Sequence, residues 1–137
     1  MDISCGIFII HQNNFLVGHA TGSPWNKWTM PKGMIDSLET YEQAAIRETF
    51  EESNLVITTK LIPLSHQVYT NRNKTLVPFY TILGELPTNW SPVCTSMVKT
   101  GYPEIDKFKW LPISKDSLEF LHKTQQDALL ELLKVHK

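Results

Sequence analysis

The first part of the chain contains short apolar runs that are separated by polar turns. Residues 3–10 are apolar at nearly every position and rich in isoleucine, which predicts a strand buried on both faces. Residues 11–14 are typical of a turn, and residues 15–19 predict a second strand that pairs with the first as a hairpin. Gly18 within this strand indicates a bulge or a close approach of another part of the chain. Residues 28–30 predict a short third strand that ends before a proline.

The next segment of the chain has the composition of a helix. Residues 41–53 consist mostly of good helix formers, so the sequence predicts a helix there. Thr40 and Gln43 have the spacing of a capping box, in which each side chain bonds the backbone of the other. Asn54 stands where a left-handed residue is expected to end the helix.

The sequence then returns to strand patterns. A β-branched run over 55–64 predicts a strand, and residues 65–70 and 75–86 predict a long hairpin. Pro78 indicates that part of the last strand lies at an edge or beside a bulge. Residues 87–103 contain three prolines and no periodicity, which predicts a long irregular loop with a functional or mobile character.

The end of the chain combines one strand with helices. Residues 108–113 predict the last strand, and Ser114 is placed to cap a short helix. Thr124 and Asp127 predict the cap of a second helix over 125–136, which carries an apolar leucine stripe. Strands around one central helix, followed by terminal helices, indicate a mixed α/β fold.

Composition limits the possible functions. A chain of 137 residues with 42% hydrophobic residues predicts one globular domain, over residues 1–137. The formal net charge of −1 gives no general attraction to nucleic acid or membrane, so a polyanionic substrate needs a local site. Two cysteines are too few for a disulfide framework, and no apolar run is long enough to span a bilayer. The start of the chain lacks the positive charge of a signal peptide, so we expect a cytoplasmic protein.

Three glutamates lie within one turn of the predicted helix. Glu48 is three residues from Glu51 and four from Glu52, which makes their side chains neighbours on a helix. Arg47 adds one positive charge, which does not balance three negative charges. The simpler interpretation is a solvated acidic face. The alternative is a site for magnesium or manganese, because these ions prefer carboxylate and carbonyl oxygens.

Residues 33–55 resemble the signature of the Nudix hydrolases. That signature places a glycine, a glutamate, an Arg-Glu pair, a Glu-Glu pair and an aliphatic residue at fixed spacings. The matching residues are Gly33, Glu39, Arg47, Glu48, Glu51, Glu52 and Leu55. Thr49 replaces a larger aliphatic residue and Asn54 replaces a final glycine, so neither departure affects a charged position. The resemblance implies an α/β fold of the Nudix type, an α/β/α sandwich with a mixed sheet and the metal-binding helix at its centre.

The resemblance also implies a metal site for Mg²⁺ or Mn²⁺. A glutamate six residues before a tryptophan reaches the metals in several members of the family, and Glu104 has this position before Trp110. A solvated loop charge is the alternative interpretation of Glu104. The implied metal ligands are Lys32 through its carbonyl, Glu48, Glu51, Glu52 and Glu104.

Catalytic and structural roles follow from the same resemblance. Glu48, Glu52 and Arg47 are implied as catalytic residues, and either glutamate could take the proton of the attacking water. Arg47 is expected to act by pairing with Glu39, which would fix the preceding loop against the helix. Gly33 is expected to allow a tight loop before the helix.

Two further stretches resemble diadenosine polyphosphate hydrolases of this family. Residues 28–33 match their Trp-x-x-Pro-Lys-Gly sequence, and residues 69–74 match a Tyr-x-x-Arg-Asn-Lys stretch. In those enzymes the tyrosine helps to hold an adenine and the basic residues hold phosphates. Ordinary strand packing and a solvated turn are the alternatives. The implied substrate-binding residues are Tyr69, Arg72, Lys74, Tyr80 and Trp90.

We therefore expect a metal-dependent hydrolase that cleaves a nucleoside-linked polyphosphate, such as diadenosine tetraphosphate. Alternative substrates are the 5′ end of an RNA, ADP-ribose and nucleoside triphosphates, and a further alternative is a non-catalytic nucleotide-binding module. The expected partner is a small nucleotide; an RNA 5′ end is possible, and neither DNA nor a membrane is expected. The five histidines show no ligand spacing, and each is expected to be a surface or core residue. They are His11, His19, His66, His122 and His136.

Overall fold

A computed structural model describes residues 2–97 and 101–136. Within these residues the chain forms seven strands, two α-helices and two short 3-10 helices. The strands are β1 (Asp2–His11), β2 (Asn14–Ala20), β3 (Lys32–Met34), β4 (Ile62–Pro63), β5 (Gln67–Tyr69), β6 (Lys74–Ile82) and β7 (Ile105–Pro112). The helices are α1 (Tyr41–Ser53) and α2 (Lys123–Val135), and the 3-10 helices are Thr70–Arg72 and Lys115–Phe120.

The first two strands form the predicted hairpin. Gln12 and Asn13 make its two-residue turn with φ angles of 50° and 63°, the positive values that favour a tight turn between twisted strands. A Cβ atom on Gly18 would lie 2.5 Å from Cγ2 of Ile105, so the predicted close approach is confirmed. The pairing of β2 with β7 also shifts in register between His19 and Ala20.

The strands make one mixed sheet in the order β4-β6-β1-β2-β7, with β3 paired to β1 and β5 paired to β6. β1 and β6 are parallel over nine residue pairs, and the other pairs are antiparallel. β1 is therefore central and buried, as its continuous apolar sequence predicts.

Alternate residues of β1 face two separate hydrophobic cores. Cys5, Ile7 and Ile9 pack with Ala44 and Ala45 of α1 on one face of the sheet. On the opposite face, Phe8 and Ile10 of the same strand pack with Ala128, Leu129 and Leu132 of α2. A helix on each face of a mixed sheet gives the expected α/β/α sandwich.

Two predicted strands are reduced to short pairings. Residues 28–30 make only isolated bridges, in which Thr29 exchanges hydrogen bonds of 2.8 and 2.9 Å with Gly18. Residues 55–64 form a strand only at Ile62–Pro63. Leu55, Ile57, Leu61 and Leu64 of this run are buried and Val56 is exposed, but the backbone reaches the edge of β6 only near the end of the run.

Pro78 does not lie at a sheet edge, because β6 has neighbours on both sides. The alternative prediction, a bulge beside Pro78, is confirmed, since residues 64–66 between β4 and β5 lie opposite only two residues of β6, 77 and 78. The carbonyl of Pro78 accepts a hydrogen bond of 3.0 Å from the Leu64 backbone, on the side where β4 and β5 lie. The backbone nitrogen of a strand residue points to the same side as its carbonyl. There the nitrogen of Pro78 faces the gap between β4 and β5, so the missing N–H removes no regular pairing.

The end of the chain differs in detail from the prediction. Ser114 caps the 3-10 helix Lys115–Phe120, as expected, with its side chain accepting from the Asp116 N–H. α2 begins at Lys123, and no side chain caps it. The predicted cap by Thr124 and Asp127 is wrong, because the Asp127 carboxylate accepts the hydroxyl of Tyr69 instead.

The long segment 87–103 is irregular wherever it is described, as predicted, and its residues 98–100 lie outside the described part. Among the described residues, no helix has the length and apolar character needed to cross a membrane.

Candidate active site

The caps of α1 fix the position of its last turn, where the three glutamates lie. The Thr40 side chain accepts the Gln43 N–H at 3.1 Å, and the Gln43 side chain accepts the Thr40 N–H at 2.9 Å, which is the predicted capping box. Asn54 has the expected left-handed conformation, with φ of 62°, and its N–H donates to the Phe50 carbonyl at 2.8 Å. Both ends of the helix are thus satisfied by local contacts.

Arg47 connects this helix to the segment before it. Its Nε and Nη2 atoms donate to the two carboxylate oxygens of Glu39 at 2.6 and 2.9 Å, and Nη2 also donates to the Met34 carbonyl at 3.0 Å. Nη1 donates to Glu48 at 2.8 Å and to Glu51 at 3.0 Å. The paired bonds from Arg47 hold the pKa of Glu39 well below its usual value, at about 2.

Glu52 is the most buried of the three glutamates, with 7% of its surface exposed. One of its oxygens accepts the Lys32 backbone N–H at 3.1 Å. Burial raises the pKa of the Glu52 carboxyl, and the hydrogen bond and the Lys32 ammonium group oppose this shift. Burial likewise lowers the pKa of the Lys32 ammonium group. Burial makes the ionised form of the Glu52 carboxyl unfavourable, so a cation bound beside this carboxyl would stabilise it.

Gly33 makes the close contact between β3 and α1. It lies in a strand, paired with Cys5, so the expected tight loop at this residue is wrong. Its φ is outside the left-handed region, and a side chain is excluded by space alone. A Cβ atom on Gly33 would overlap the carboxylate of Glu48.

A cleft of about 550 Å³ brings the acidic residues together. Its lining includes Glu48, Glu51, Glu52 and Glu104, with Lys32, Lys74 and neighbouring residues. Glu104 is close enough for its charge to raise the pKa of Glu48 and Glu52, after the larger effect of burial. Four carboxylates on one cleft are a donor set that suits Mg²⁺ or Mn²⁺.

The described residues hold no preformed group of three or more acidic, histidine or cysteine ligands. Nη1 of Arg47 lies between Glu48 and Glu51 and bonds both carboxylates. These two side chains would have to release Arg47, at least in part, to bind a cation in the cleft.

A second cavity, of about 180 Å³, continues from the acidic cleft and is basic. Lys32 and Lys74 line both spaces. The remaining lining of the second cavity is Ala20, Thr29, Arg72, His122 and Thr124. His122 and Thr124 lie at the start of α2, where free backbone N–H groups favour anions. Burial lowers the pKa of His122, and the positive charges around it, Lys32 foremost, lower it further.

Tyr69 lies beside this basic region but has a structural contact. Its hydroxyl donates to the Asp127 carboxylate at 3.1 Å and to the Thr124 carbonyl at 3.2 Å. Burial and the Asp127 bond raise the pKa of Tyr69 to about 12. The ring also lines a small cavity with Lys32 and Lys74, so a contact with substrate stays a prediction.

Tyr80 and Trp90, two of the predicted binding residues, both contact the hydrophobic cores. Tyr80 is 8% exposed and belongs to the core beneath α2, six residues along β6 from Lys74. The indole N–H of Trp90 donates to the Ser53 carbonyl at 3.1 Å, and its ring packs against the core beneath α1. The buried Tyr80 side chain therefore has a packing role, whereas Trp90 is only partly buried and its contact with substrate stays a prediction.

Sequence reasoning missed His122, since no motif connects it with Arg72 and Lys74. The three side chains meet only because α2 begins next to the start of β6. His122 lies three residues before the predicted helix and directly before the observed one, and helix starts are common anion sites.

Comparisons with known proteins agree with this fold. The model of the NUDIX domain matches residues 2–133. None of the curated protein sequences matches the chain. A crystal structure of a NUDIX hydrolase from Nitrosomonas europaea has a TM-score of 0.73 and 19% sequence identity, covering 98% of this chain and 71% of that chain.

Two further solved structures are similar at comparable levels. A C. elegans Ap4A hydrolase binary complex has a TM-score of 0.71 and 22% identity, covering 96% of this chain and 95% of that chain. A bifunctional NMN adenylyltransferase/ADP ribose pyrophosphatase from Francisella tularensis, complexed with AMP and a Mn ion, has a TM-score of 0.68 and 17% identity. It covers 97% of this chain and 41% of that chain. At these identities the three likenesses establish the fold and leave the substrate open.

Proposed function

Because the chain belongs to the NUDIX domain family, and is therefore a pyrophosphohydrolase acting on nucleotides, we propose that its substrate is a dinucleoside polyphosphate such as diadenosine tetraphosphate. The continuity of the acidic cleft with the basic cavity carries this proposal. Lys32 and Lys74 form part of both linings, so a chain of several phosphates can extend from one space into the other. A substrate with only two phosphates would leave the basic cavity unused.

The residues of the cleft have complementary roles in this proposal. Glu48, Glu51, Glu52 and Glu104 would hold a Mg²⁺ or Mn²⁺ ion, which would supply charge neutralisation and Lewis acidity at the attacked phosphate. The carboxylate of Glu48 or Glu52 takes the proton of the attacking water. Arg72 and Lys74 bind the oxygens of the phosphates beyond the cleaved bond.

Support from the fold comparisons is divided. The C. elegans structure is an Ap4A hydrolase, and the Francisella tularensis protein contains an ADP ribose pyrophosphatase. The choice of a dinucleoside polyphosphate therefore depends on the basic cavity and on the sequence resemblance at 69–74. A substrate panel tests it directly.

The panel compares diadenosine tetraphosphate, ADP-ribose, nucleoside triphosphates and 5′-triphosphate RNA, with products identified by mass spectrometry. We expect the highest kcat/KM for diadenosine tetraphosphate, and incorporation of ¹⁸O from labelled water identifies the attacked phosphorus. A higher kcat/KM for ADP-ribose or for the RNA would refute the proposed substrate while leaving the pyrophosphohydrolase chemistry intact.

Replacement of Glu52 tests the acidic cleft. We expect Glu52→Gln to lower kcat by about 10²-fold or more, because it removes a charged metal ligand that can also accept the proton of the attacking water. Glu42→Gln is the matched control, since Glu42 is an exposed residue in the first turn of the same helix. Activity should require Mg²⁺ or Mn²⁺ and stop in excess chelator. Turnover by Glu52→Gln at the rate of the control would contradict the assignment of the cleft.

Replacement of Lys74 tests the basic cavity. Loss of a charged hydrogen bond to phosphate costs about 1.5–3 kcal/mol, so Lys74→Met should raise KM for diadenosine tetraphosphate at least about 10-fold. The effect on ADP-ribose should be smaller, because its phosphates do not extend as far. Lys60→Met, at an exposed position, is the control. Equal effects on both substrates would indicate that Lys74 does not act on the distal phosphates.

A further inference from the structure

Trp25 is an exposed aromatic residue with an unusual support. Its side chain is 63% exposed, yet one face of the indole is stacked on the imidazole of His19. The ring centroids are 3.7 Å apart, and the planes are within 5° of parallel. The opposite face of the indole has no ring partner among the described residues. A flat apolar surface is thus held open to solvent.

His19 supports this stack and is itself held in place. It is 1% exposed, its Nδ1 lies 2.6 Å from the Asp106 carboxylate, and its Nε2 lies 2.9 Å from the Ser23 carbonyl. Both neighbours are acceptors, so both bonds form together only when each ring nitrogen carries a hydrogen.

The loop that carries Trp25 is also held in place. The backbone carbonyl of Trp25 accepts the indole N–H of Trp28 at 3.1 Å, and the Lys27 N–H donates to the Pro24 carbonyl at 3.0 Å. Trp28 is 6% exposed and contacts the edge of His19, with ring centroids 5.6 Å apart. The orientation of the exposed indole is therefore fixed by buried groups.

This stack lies at the end of β2, next in sequence to a residue that lines the proposed phosphate site. Ala20, which follows His19, lines both the basic cavity and a cavity of about 270 Å³ whose wall includes Glu52 and Glu104. Asp106, which holds His19, comes two residues after Glu104. To reach Trp25, a ligand whose phosphates occupy the cleft would have to extend past Ala20.

We propose that the open face of Trp25 binds a nucleobase of the substrate by stacking. This inference depends on the proposed function for the position of the phosphates. Trp25 supplies a flat aromatic surface with one open face, whereas the indole N–H of Trp90 is bonded to the Ser53 carbonyl at the end of α1. Every base has a π face, so the stack favours nucleotides over bare phosphates and discriminates weakly among bases.

The test compares ATP with inorganic tripolyphosphate, which has the same number of phosphates and no nucleoside. Binding is measured by calorimetry with Mg²⁺ in the Glu52→Gln background, in which turnover is expected to be slow. Trp25→Leu should weaken ATP binding about 10- to 100-fold and leave tripolyphosphate binding unchanged. Trp25→Phe should restore most of the loss. Circular dichroism establishes that the variants are folded.

Tryptophan fluorescence provides a second measurement. ATP, but not tripolyphosphate, should quench part of the tryptophan emission of the protein. This quenching should be absent in Trp25→Phe. Tyr102→Leu is the control, because Tyr102 is equally exposed at 63% but is not stacked on a buried ring. Equal weakening of both ligands by Trp25→Leu, or a nucleotide-specific loss in Tyr102→Leu alone, would overturn the proposal.

These outcomes are separate from those of the substrate panel. If the panel shows no hydrolysis of dinucleoside polyphosphates but Trp25→Leu weakens ATP selectively, the proposed substrate is wrong and the base site stands. If the panel identifies diadenosine tetraphosphate and Trp25→Leu has no selective effect, the base site is wrong and the substrate stands.

Discussion

Gly33→Ala is a minimal perturbation of the proposed active site. The substitution adds one methyl group, and the backbone of Gly33 already has a conformation that alanine adopts without strain. The new Cβ would overlap the Glu48 carboxylate, whose Oε1 would be only 2.5 Å away. A normal contact of about 3.5 Å requires this oxygen to withdraw by about 1 Å, and Oε2 and Cδ, which would lie closer still, have to move further. The change therefore displaces a proposed metal ligand without altering its chemistry.

Activity and stability should respond differently. A displacement of about 1 Å at a reacting centre costs about 10²-fold in rate, or about 2.7 kcal/mol. Stability should change little, because the displaced atoms are the end of a flexible side chain. Weakening the bond between Glu48 and Arg47 costs up to about 1 kcal/mol, and the reduced freedom of the unfolded chain offsets about 0.4–1 kcal/mol.

The assay measures kcat and the free energy of unfolding for Gly33→Ala, Glu48→Ala and the double variant. Gly84→Ala is the matched control, because a Cβ on Gly84 would meet no atom within 4 Å. Once Glu48 is truncated, Gly33→Ala should cause no further loss of activity. An active Gly33→Ala variant, or losses that multiply in the double variant, would refute the reasoning.

Three further results are expected. Thr49 is fully buried and its hydroxyl has no hydrogen-bond partner in the described structure, so Thr49→Val should raise the free energy of unfolding by about 1 kcal/mol in urea denaturation. Thr81→Val should instead lower it by about 1–2 kcal/mol, since the buried Thr81 hydroxyl donates to the Lys60 carbonyl at 2.9 Å. Equal signs for the two variants would contradict this account. The third result concerns pH: the pKa of Glu39 is lowered from 4.5 to about 2 by Arg47, so its stabilising effect is complete above about pH 4.5 and is lost as the pH falls towards 2. The difference in unfolding midpoint between the wild type and Glu39→Gln should shrink over that interval, and a constant difference would exclude the ion pair as its cause.

The best predictions from sequence concern α1. Its cap at Thr40, its extent over 41–53 and the left-handed Asn54 are all present, because each depends on residues within one or two turns. The acidic cluster was equally readable, since helical spacing alone makes Glu48 a neighbour of Glu51 and Glu52.

Predictions that depended on distant partners were less successful. Residues 55–64 have the composition of a strand, yet most of the run is unpaired because a strand also needs a free neighbouring edge. Tyr80 was a reasonable ligand candidate by type, but the sheet directs its ring into the core. Residue type does not reveal which way a side chain points.

The sequence by itself determined the central helix, the acidic residues on it and the family that they imply. Only the tertiary structure decided what lies around that helix: the burial of Glu52, the basic cavity that His122 shares with Lys74, and the stack of Trp25 on His19. The physical reason is the range of the interactions. Helix caps and helix faces are set by residues three or four apart, whereas a substrate cavity forms where strands and helices distant in sequence pack together.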